Sequence, residues 1–217
     1  MSKEKKLKVS ICEIYPTIQG EGFLIGSPVT LIRFQGCNIY CSWCDTKYAI
    51  PFKKETILDF EEVLKKIESI GRKHLLITGG EPFAHKEFGE FCKLLISKGY
   101  FLQIETNGTV WNSVFEKLPR ESFYISLSPK YSVDYRIAPQ FVDFADELKM
   151  VVDDNLTIDI LLRGEFLKLI EEKKLILQPE GNKEKFVKKS LELIDILLSK
   201  NLYGRLIPQM HKLINLP

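Results

Sequence analysis

Three cysteines crowd the stretch GCNIYCSWCDTKY, residues 36–48: Cys37, Cys41 and Cys44, spaced C-x3-C-x2-C. Thiolate sulfur is a soft ligand that selects zinc, Cu(I) or iron–sulfur clusters. A structural zinc site is usually closed by four ligands, commonly two C-x2-C pairs. The remaining cysteines are poor candidates for a fourth sulfur. Cys92 falls in the apolar stripe of a helical pattern beside Phe91, and Cys12 lies in the β-like run VSICEIY, so both are expected to be buried. A [4Fe–4S] cluster takes one thiolate per iron, so three thiolates leave one iron with an open position where something else binds. On spacing alone, a zinc knuckle completed by a histidine and three unrelated thiols stay open as alternatives.

Other polar segments punctuate the chain. TGGEP (78–82), ETNGT (105–109), SPK (128–130) and QPEG (178–181) each end a β-rich run, and the cysteine loop follows the run PVTLIRFQG. Any one of them is explained by turn chemistry. All five together are better explained by a shared rim. GG lets a backbone approach a ligand closely, and EP suits a strand-to-helix turn. Arg33 sits inside an apolar strand, where a cation needs a partner: a salt bridge to Glu13 or Glu21, or an anionic ligand.

The elements that must position these residues alternate. PVTLIRFQG, HLLITGG, FLQIETNG, FYISLSPK, ELKMVV and KLILQPEG read as buried strands. Between them lie amphipathic stretches such as DFEEVLKKIESI, HKEFGEFCKLLISKGY, with Gly99 as a stop, and NKEKFVKKSLELIDILLSKN. NLTIDILLRGEFLKLIEEKK is broken at Gly164. Strand–helix alternation repeated about six times predicts a parallel sheet with crossover helices. A complete eight-fold barrel takes about 250 residues, so this 217-residue chain is expected to form an α/β open, partial (βα)6 barrel. Active sites in such folds lie beyond the carboxyl ends of the strands.

Bulk properties narrow the function. Thirty-one basic against 29 acidic residues give a net charge of +2, which argues against a nucleic-acid partner. The lysine-rich stretches MSKEKKLK and GNKEKFVKK read as solvated faces. No apolar run approaches a membrane span and the N-terminus is charged, so a cytoplasmic location is expected, where clustered cysteines are more often metal-binding or catalytic.

C-x3-C-x2-C with Trp43 before the last cysteine, followed in register by GGEP, resembles the signature of the radical S-adenosylmethionine enzymes. Further stretches choose within that superfamily. EIYPTIQGEG (13–22), Arg33, the CDT triplet at 44–46, ETNGT, SPK and the C-terminal IPQMHKLINLP resemble the 7-carboxy-7-deazaguanine synthases along almost the whole chain. The resemblance implies a single radical S-adenosylmethionine core over 1–217, with an N-terminal substrate-binding segment and a C-terminal closing tail. It implies a carbon–nitrogen lyase of the queuosine and tRNA-modification pathway. The substrate is 6-carboxy-5,6,7,8-tetrahydropterin, contracted to 7-carboxy-7-deazaguanine with loss of ammonia. S-adenosylmethionine serves catalytically, with a [4Fe–4S] cluster and Mg2+. A flavodoxin- or ferredoxin-type electron donor and a homodimer are implied as well.

Residue by residue, the resemblance gives Cys37, Cys41 and Cys44 to the cluster and Thr46 to magnesium. S-adenosylmethionine falls to Trp43, Cys44 and Asp45 in the loop, and to Gly79, Gly80 and Glu81 in the next turn. Glu105, then Ser128, Pro129 and Lys130, and finally Gln178, Pro179, Glu180 and Gly181 complete that set. The substrate falls to Ile18, Gln19, Gly20, Glu21, Arg33, Thr78, His211 and Pro217. Two departures stand out: QPEG replaces the QPMD of some relatives, which shifts the adenine-side contact toward backbone, and the inserted element some members carry between the first two cysteines is absent. A glycyl-radical activase shares the cysteine spacing and is the alternative enzyme, although TIQGEG and the LP terminus count against it.

Overall fold

The computed structural model describes residues 7–216, so Pro217 and the first six residues lie outside it. Nine strands alternate with helices. They are β1 (Lys8–Ile18), β2 (Pro28–Phe34), β3 (Ile57–Asp59), β4 (His74–Gly79), β5 (Phe101–Thr106), β6 (Phe123–Leu127), β7 (Glu147–Val152), β8 (Leu175–Pro179) and β9 (Gly204–Leu206). The helices are α1 (Phe60–Ile70), α2 (Phe88–Ser97), α3 (Phe141–Phe144), α4 (Ile158–Leu161), α5 (Gly164–Glu171), α6 (Glu184–Ser199) and α7 (Met210–Leu213). All six predicted strands are present, and Gly164 starts a helix after the expected break. The short edge strands β3 and β9 and the 3-10 turns that replace a helix between β5 and β6 were not foreseen; a run of three residues carries no readable period.

The chain divides into two compact units. The first takes everything described up to Thr17, then Pro28–Glu105 and Asn112–Tyr124; the second takes Ile18–Ser27, Thr106–Trp111 and Ile125 onward. Within the first, the strand order is β3-β1-β2-β4-β5. β2 and β4 pair in parallel, with Arg33 opposite Thr78 and Phe34 opposite Gly79, and β4 pairs in parallel with β5. Parallel pairing brings the carboxyl ends of these strands together. The helix α1 begins where the Glu62 side chain accepts from the Asp59 N–H at 3.0 Å and ends at Gly71, φ 78°. It buries Phe60, Val63, Leu64 and Ile67. Phe34, Phe88 and Phe91 meet edge to face at 5.4 and 5.5 Å, each fully buried ring contributing roughly 1.5–3 kcal/mol.

The second unit orders β6-β7-β8-β9, all parallel. The strand β8 is buried along its length, and α6 covers the sheet with Phe186, Ser190, Leu193 and Leu197. The opposite side of α6, with Lys185 and Lys188, is exposed, as its lysine-rich sequence predicts.

Candidate functional site

In the first unit the cysteines occupy an irregular loop whose ends are tied by backbone. Gly36 N–H donates to Ala49 O at 2.8 Å and Cys37 N–H to Ile50 O at 2.9 Å. The buried Gln35 side chain donates to Tyr48 O and Pro51 O at 2.9 and 2.6 Å. The tip between these ties presents the three thiols, none in a disulfide and all partly exposed. Burial pushes the Cys37 thiol up to about 11, helped by Glu81, Cys41 and Cys44 and opposed by a backbone hydrogen bond at Ile39; a metal binding there displaces that proton. No three described His, Cys, Asp or Glu side chains stand close enough to hold a single metal ion. A cubane cluster spreads its thiolates one to an iron. Cys12 differs from expectation: it is half-buried, because β1 lies near the sheet edge, and its thiol donates to Arg33 O at 3.5 Å.

The GGEP turn is fastened to this loop. Gly80 N–H donates to Phe34 O at 3.0 Å and Glu81 N–H to Gly36 O at 2.8 Å. A β-carbon at Gly80 would overlap Gly36 O, and Gly79 holds φ +143° with the Phe34 backbone just as close. Only glycine fits either place. The Glu81 carboxylate is buried and accepts from Phe83 N–H at 3.1 Å, capping the 3-10 turn Pro82–Ala84. Beside it, Thr78 Oγ1 donates to Glu105 Oε2 at 3.1 Å. Thr46 begins a 3-10 turn without capping it through its side chain; its hydroxyl lies 3.6 Å from Cys44 Sγ. Trp43 and Asp45 belong to the same loop, Trp43 partly buried and Asp45 exposed.

Arg33 pairs with Glu13, not Glu21: Nε lies 2.5 Å from Glu13 Oε2, and Tyr48 Oη donates to Glu13 Oε1 at 3.0 Å. Burial opposes the Arg33 charge, but the hydrogen bond to Glu13, together with the charges of Tyr48, Glu13 and Tyr15, outweighs it and holds the guanidinium firmly protonated. Nη1 and Nη2 make no hydrogen bond to a described residue. The guanidinium thus carries more donors than its pairing with Glu13 uses.

The second unit carries the other half of the predicted residues. The loop Gln19–Ser27 closes on itself, with Gln19 N–H on Ser27 O at 2.8 Å and Gly26 N–H on Gln19 O at 2.7 Å. Gln19 Oε1 accepts from Glu21 N–H at 3.0 Å. Two charged residues on one face of β7 pin this loop. Glu147 accepts from Phe23 N–H at 2.7 Å and from Ser126 Oγ at 2.5 Å. Lys149 donates to Glu21 Oε2, while Gln209 Nε2 donates to Glu21 Oε1 at 2.8 Å. Burial alone would raise the Glu21 carboxyl, but Lys149 foremost, then Gln209 and His211, bring it down to about 2. The C-terminal segment closes over Gly20: Met210 N–H donates to Gly20 O at 2.8 Å, and His211 lies where a β-carbon of Gly20 would be. Ile18 ends β1, half-buried just before this loop.

Ser128 Oγ donates to Lys149 O at 2.9 Å and accepts from Lys130 Nζ, so the SPK turn is folded back on β7 with Pro129 buried. Gln178, 4% exposed, leaves Oε1 without a partner. Pro179 is buried; Glu180 pairs with Lys183, and Gly181 and Asn182 follow in the left-handed region at φ 59° and 55°. Asn182 exchanges two hydrogen bonds of 2.9 Å with the Gln209 backbone. These residues fit the groups their sequence implies: thiols outside any disulfide, a glycine cradle with no room for a β-carbon, a hard hydroxyl oxygen, and an orphaned amide oxygen.

Tyr48, Lys149, Asn182 and Gln209 escaped the sequence reading. Lys149 alone left a signal, a cation inside the buried strand ELKMVV. A cleft of about 960 Å³ on the first unit, bordered by Val9, Phe52, Ile57 and Leu94, touches none of the predicted residues.

Residues 31–135 match the Radical SAM superfamily. The 7-carboxy-7-deazaguanine synthase of Aquifex aeolicus is 40% identical over 208 residues, 96% of this chain and 94% of that one. The enzyme of the same name from Haemophilus influenzae is 36% identical over 76% of this chain and 70% of its own. Among solved structures, QueE from Escherichia coli superposes with a TM-score of 0.76 at 27% identity, covering 97% of this chain and 100% of that chain. Streptococcus suis SuiB bound to S-adenosylmethionine gives 0.52 at 14% identity over 82% and 48%, a likeness of fold alone. The α/β fold with its parallel sheet is therefore that of the Radical SAM superfamily, as the strand–helix alternation and the cysteine and GGEP motifs lead one to expect.

Proposed function

The chain belongs to the 7-carboxy-7-deazaguanine synthase family, and we propose that it converts 6-carboxy-5,6,7,8-tetrahydropterin to 7-carboxy-7-deazaguanine and ammonia, supplying queuosine or another 7-deazapurine. The observation that carries this reading is the fusion of the cysteine loop to the GGEP turn, with Gly80 backed directly onto Gly36. Cys37, Cys41 and Cys44 would hold the cluster, and the Thr46 hydroxyl would serve Mg2+, which prefers oxygen. Bound there, the cluster and S-adenosylmethionine would supply reducing power and hydrogen-atom abstraction.

The chain's own residues do the positioning. Gly79, Gly80 and the Glu81 backbone admit the amino-acid end of S-adenosylmethionine, while Trp43, Asp45 and Glu105 flank it. Ser128, Pro129 and Lys130 are the turn assigned to the ribose side. Gln178 offers an unpaired amide oxygen on the adenine side, with Pro179, Glu180 and Gly181 shaping the backbone. Arg33 meets the substrate carboxylate with its unused fork edge. Thr78 adds a hydroxyl next to Glu105. Ile18, Gln19, Gly20 and Glu21 take the pterin ring, with His211 over Gly20; Pro217, assigned to the substrate by the same resemblance, lies outside the described residues.

The same reading includes a flavodoxin- or ferredoxin-type donor, a homodimer, a cytoplasmic setting and neither a nucleic-acid nor a membrane partner. Three thiols outside any disulfide support a reducing compartment. Exposed Leu191 and Leu198, one face of α6, support a second subunit. No helix among the described residues is long and apolar enough to cross a membrane.

Anaerobic reconstitution with iron and sulfide, followed by reductant, Mg2+, S-adenosylmethionine and carboxytetrahydropterin, tests the proposal. Product formed over many turnovers, without matching loss of S-adenosylmethionine, is the expected result. Slow cleavage to deoxyadenosine and methionine without product would keep the radical machinery and reject the substrate, favouring an activase. Stoichiometric zinc in place of about four irons per chain would reject both.

A further inference from the structure

Glu21 is the one acidic side chain in the Gln19–Ser27 loop, and both of its oxygens are already engaged. Lys149, with a side chain 4% exposed, reaches Oε2 from β7, and Gln209 reaches Oε1 at 2.8 Å from the start of α7. Each carboxylate oxygen has two lone pairs, so one acceptor site per oxygen remains. Lys149 has a second connection: its carbonyl takes the Ser128 hydroxyl at 2.9 Å. One residue of β7 thus touches the loop assigned to the pterin through its ammonium and the turn assigned to S-adenosylmethionine through its backbone. A buried ammonium that only balanced charge would need no such placement, and a lysine in a strand core is costly without purpose.

We propose that Lys149 is a positioning residue for substrate selection. With Gln209, it fixes Glu21 as an ionised pure acceptor, aimed at the adjacent N–H groups of the guanidine-like edge of the substrate ring. The inference rests on the substrate class proposed above. It predicts that a ring with two neighbouring N–H donors is accepted and one presenting a carbonyl oxygen at that edge is refused. A carboxylate can only accept, so two acceptors would face each other.

The charged groups facing Glu21 are Lys149 and Glu147 from β7 and His211 and Lys212 beside Gln209. Among the described residues, Lys149 is the cation that holds a carboxylate oxygen directly. Its loss leaves Glu21 desolvated and able to take a proton at moderate pH, because burial then acts unopposed by the main cation. Protonation would turn one acceptor into a donor and weaken ring binding.

The test uses the reconstituted holoenzyme, with Lys149→Met and Lys149→Arg beside the unaltered protein, and 6-carboxytetrahydropterin as probe. Lys149→Met is expected to raise KM by roughly tenfold or more, the loss of one charge-assisted hydrogen bond. Its kcat/KM should fall as pH is lowered from 8 to 5 relative to the unaltered enzyme, and Lys149→Arg should restore part of both. Unaltered KM and pH profile in Lys149→Met would overturn the inference. So would an equal loss of affinity for S-adenosylmethionine, which is the mark of a merely structural lysine. If Lys149→Met does not fold, Glu21→Gln is compared with the double variant Glu21→Gln/Lys149→Met. Equal KM values show that Lys149 acts through Glu21, and a further rise shows that it does not. Absence of product from the unaltered enzyme would reject the proposed substrate instead, a separate outcome read before any variant is made.

Discussion

Two strands each carry a lone cation among buried apolar residues, and each cation meets a glutamate from the N-terminal part of the chain. In β2 it is Arg33 with Glu13; in β7 it is Lys149 with Glu21. The side chains of the first pair are 12% and 32% exposed, those of the second 4% and 14%. Arg33 spends only Nε on its partner and keeps its planar edge. Lys149 is a compact charge spent close to Glu21, whose second oxygen is also taken. The same sequence pattern therefore yields a cation with binding capacity left over in one unit, and in the other a buried pair whose remaining capacity lies on the carboxylate. Guanidinium geometry makes the first possible, and the ammonium's point charge suits the second.

The largest predicted effect separates the pairs by stability. Lys149→Met strands a buried carboxylate and should lower unfolding stability by about 3–5 kcal/mol in urea titrations. The neutral double variant Glu21→Gln/Lys149→Met should recover most of that. Arg33→Met strands Glu13, which is wetter and still holds Tyr48, and should cost about 1 kcal/mol or less beyond lost packing. Equal losses in the two single variants would erase the distinction.

Activity should sort the pairs the other way round in kind. Arg33→Lys keeps a charge beside Glu13 but removes the fork, so KM for carboxytetrahydropterin should rise roughly ten- to a hundredfold with the fold intact, equivalent to losing one hydrogen bond to a charged group. A substrate lacking the carboxylate should show no such difference between the unaltered enzyme and the Arg33→Lys variant. Unchanged KM would mean that Arg33 serves Glu13 alone.

Much of this was legible because strands and turns are written locally. PVTLIRFQG, HLLITGG and ELKMVV announce buried strands by continuous apolar runs, and GG at 79–80 announces a close approach that Gly36 and Phe34 indeed make. Arg33 advertised its need for a partner, and Glu13 was one of two candidates. What stayed hidden was long-range. Glu21 and Gln209 lie 188 positions apart, and nothing local in either pairs them. Asn182 reads as a turn residue until its two bonds to Gln209 are seen. Within ELKMVV nothing local tells that Lys149 and Glu147 hold the Gln19–Ser27 loop.

Acid titration offers a subtler contrast. The folded Glu21 carboxyl sits near 2, below its ordinary value near 4.5. As pH falls through that window, the unfolded chain binds a proton that the folded one refuses, so stability present above about 4.5 is lost toward 2. Acid-unfolding curves of Glu21→Gln should therefore be flatter over this window than those of the unaltered protein. Parallel curves would mean that Lys149 does not hold the carboxylate ionised.

The smallest effect concerns His85, which lies behind Arg33's strand. Its ring packs 5.1 Å from Phe34 and 5.5 Å from Phe52, and its buried Nε2 has no partner. Burial lowers its affinity for a proton, partly offset by a hydrogen bond to the Gly36 backbone and by Glu87; burial lowers His74 likewise. Below about pH 6.5 the unfolded chain gains protons that these folded rings resist, so stability falls as pH falls, well above the Glu21 window. His85→Phe keeps the aromatic packing and removes one of the two rings whose protonation burial opposes. The slope of stability between pH 7 and 5 should decrease without reaching zero, since His74 remains. An unchanged slope would show that His85 takes up its proton in the folded chain, with Nε2 turned to water, and the base of the cysteine loop would then be more open than its packing indicates.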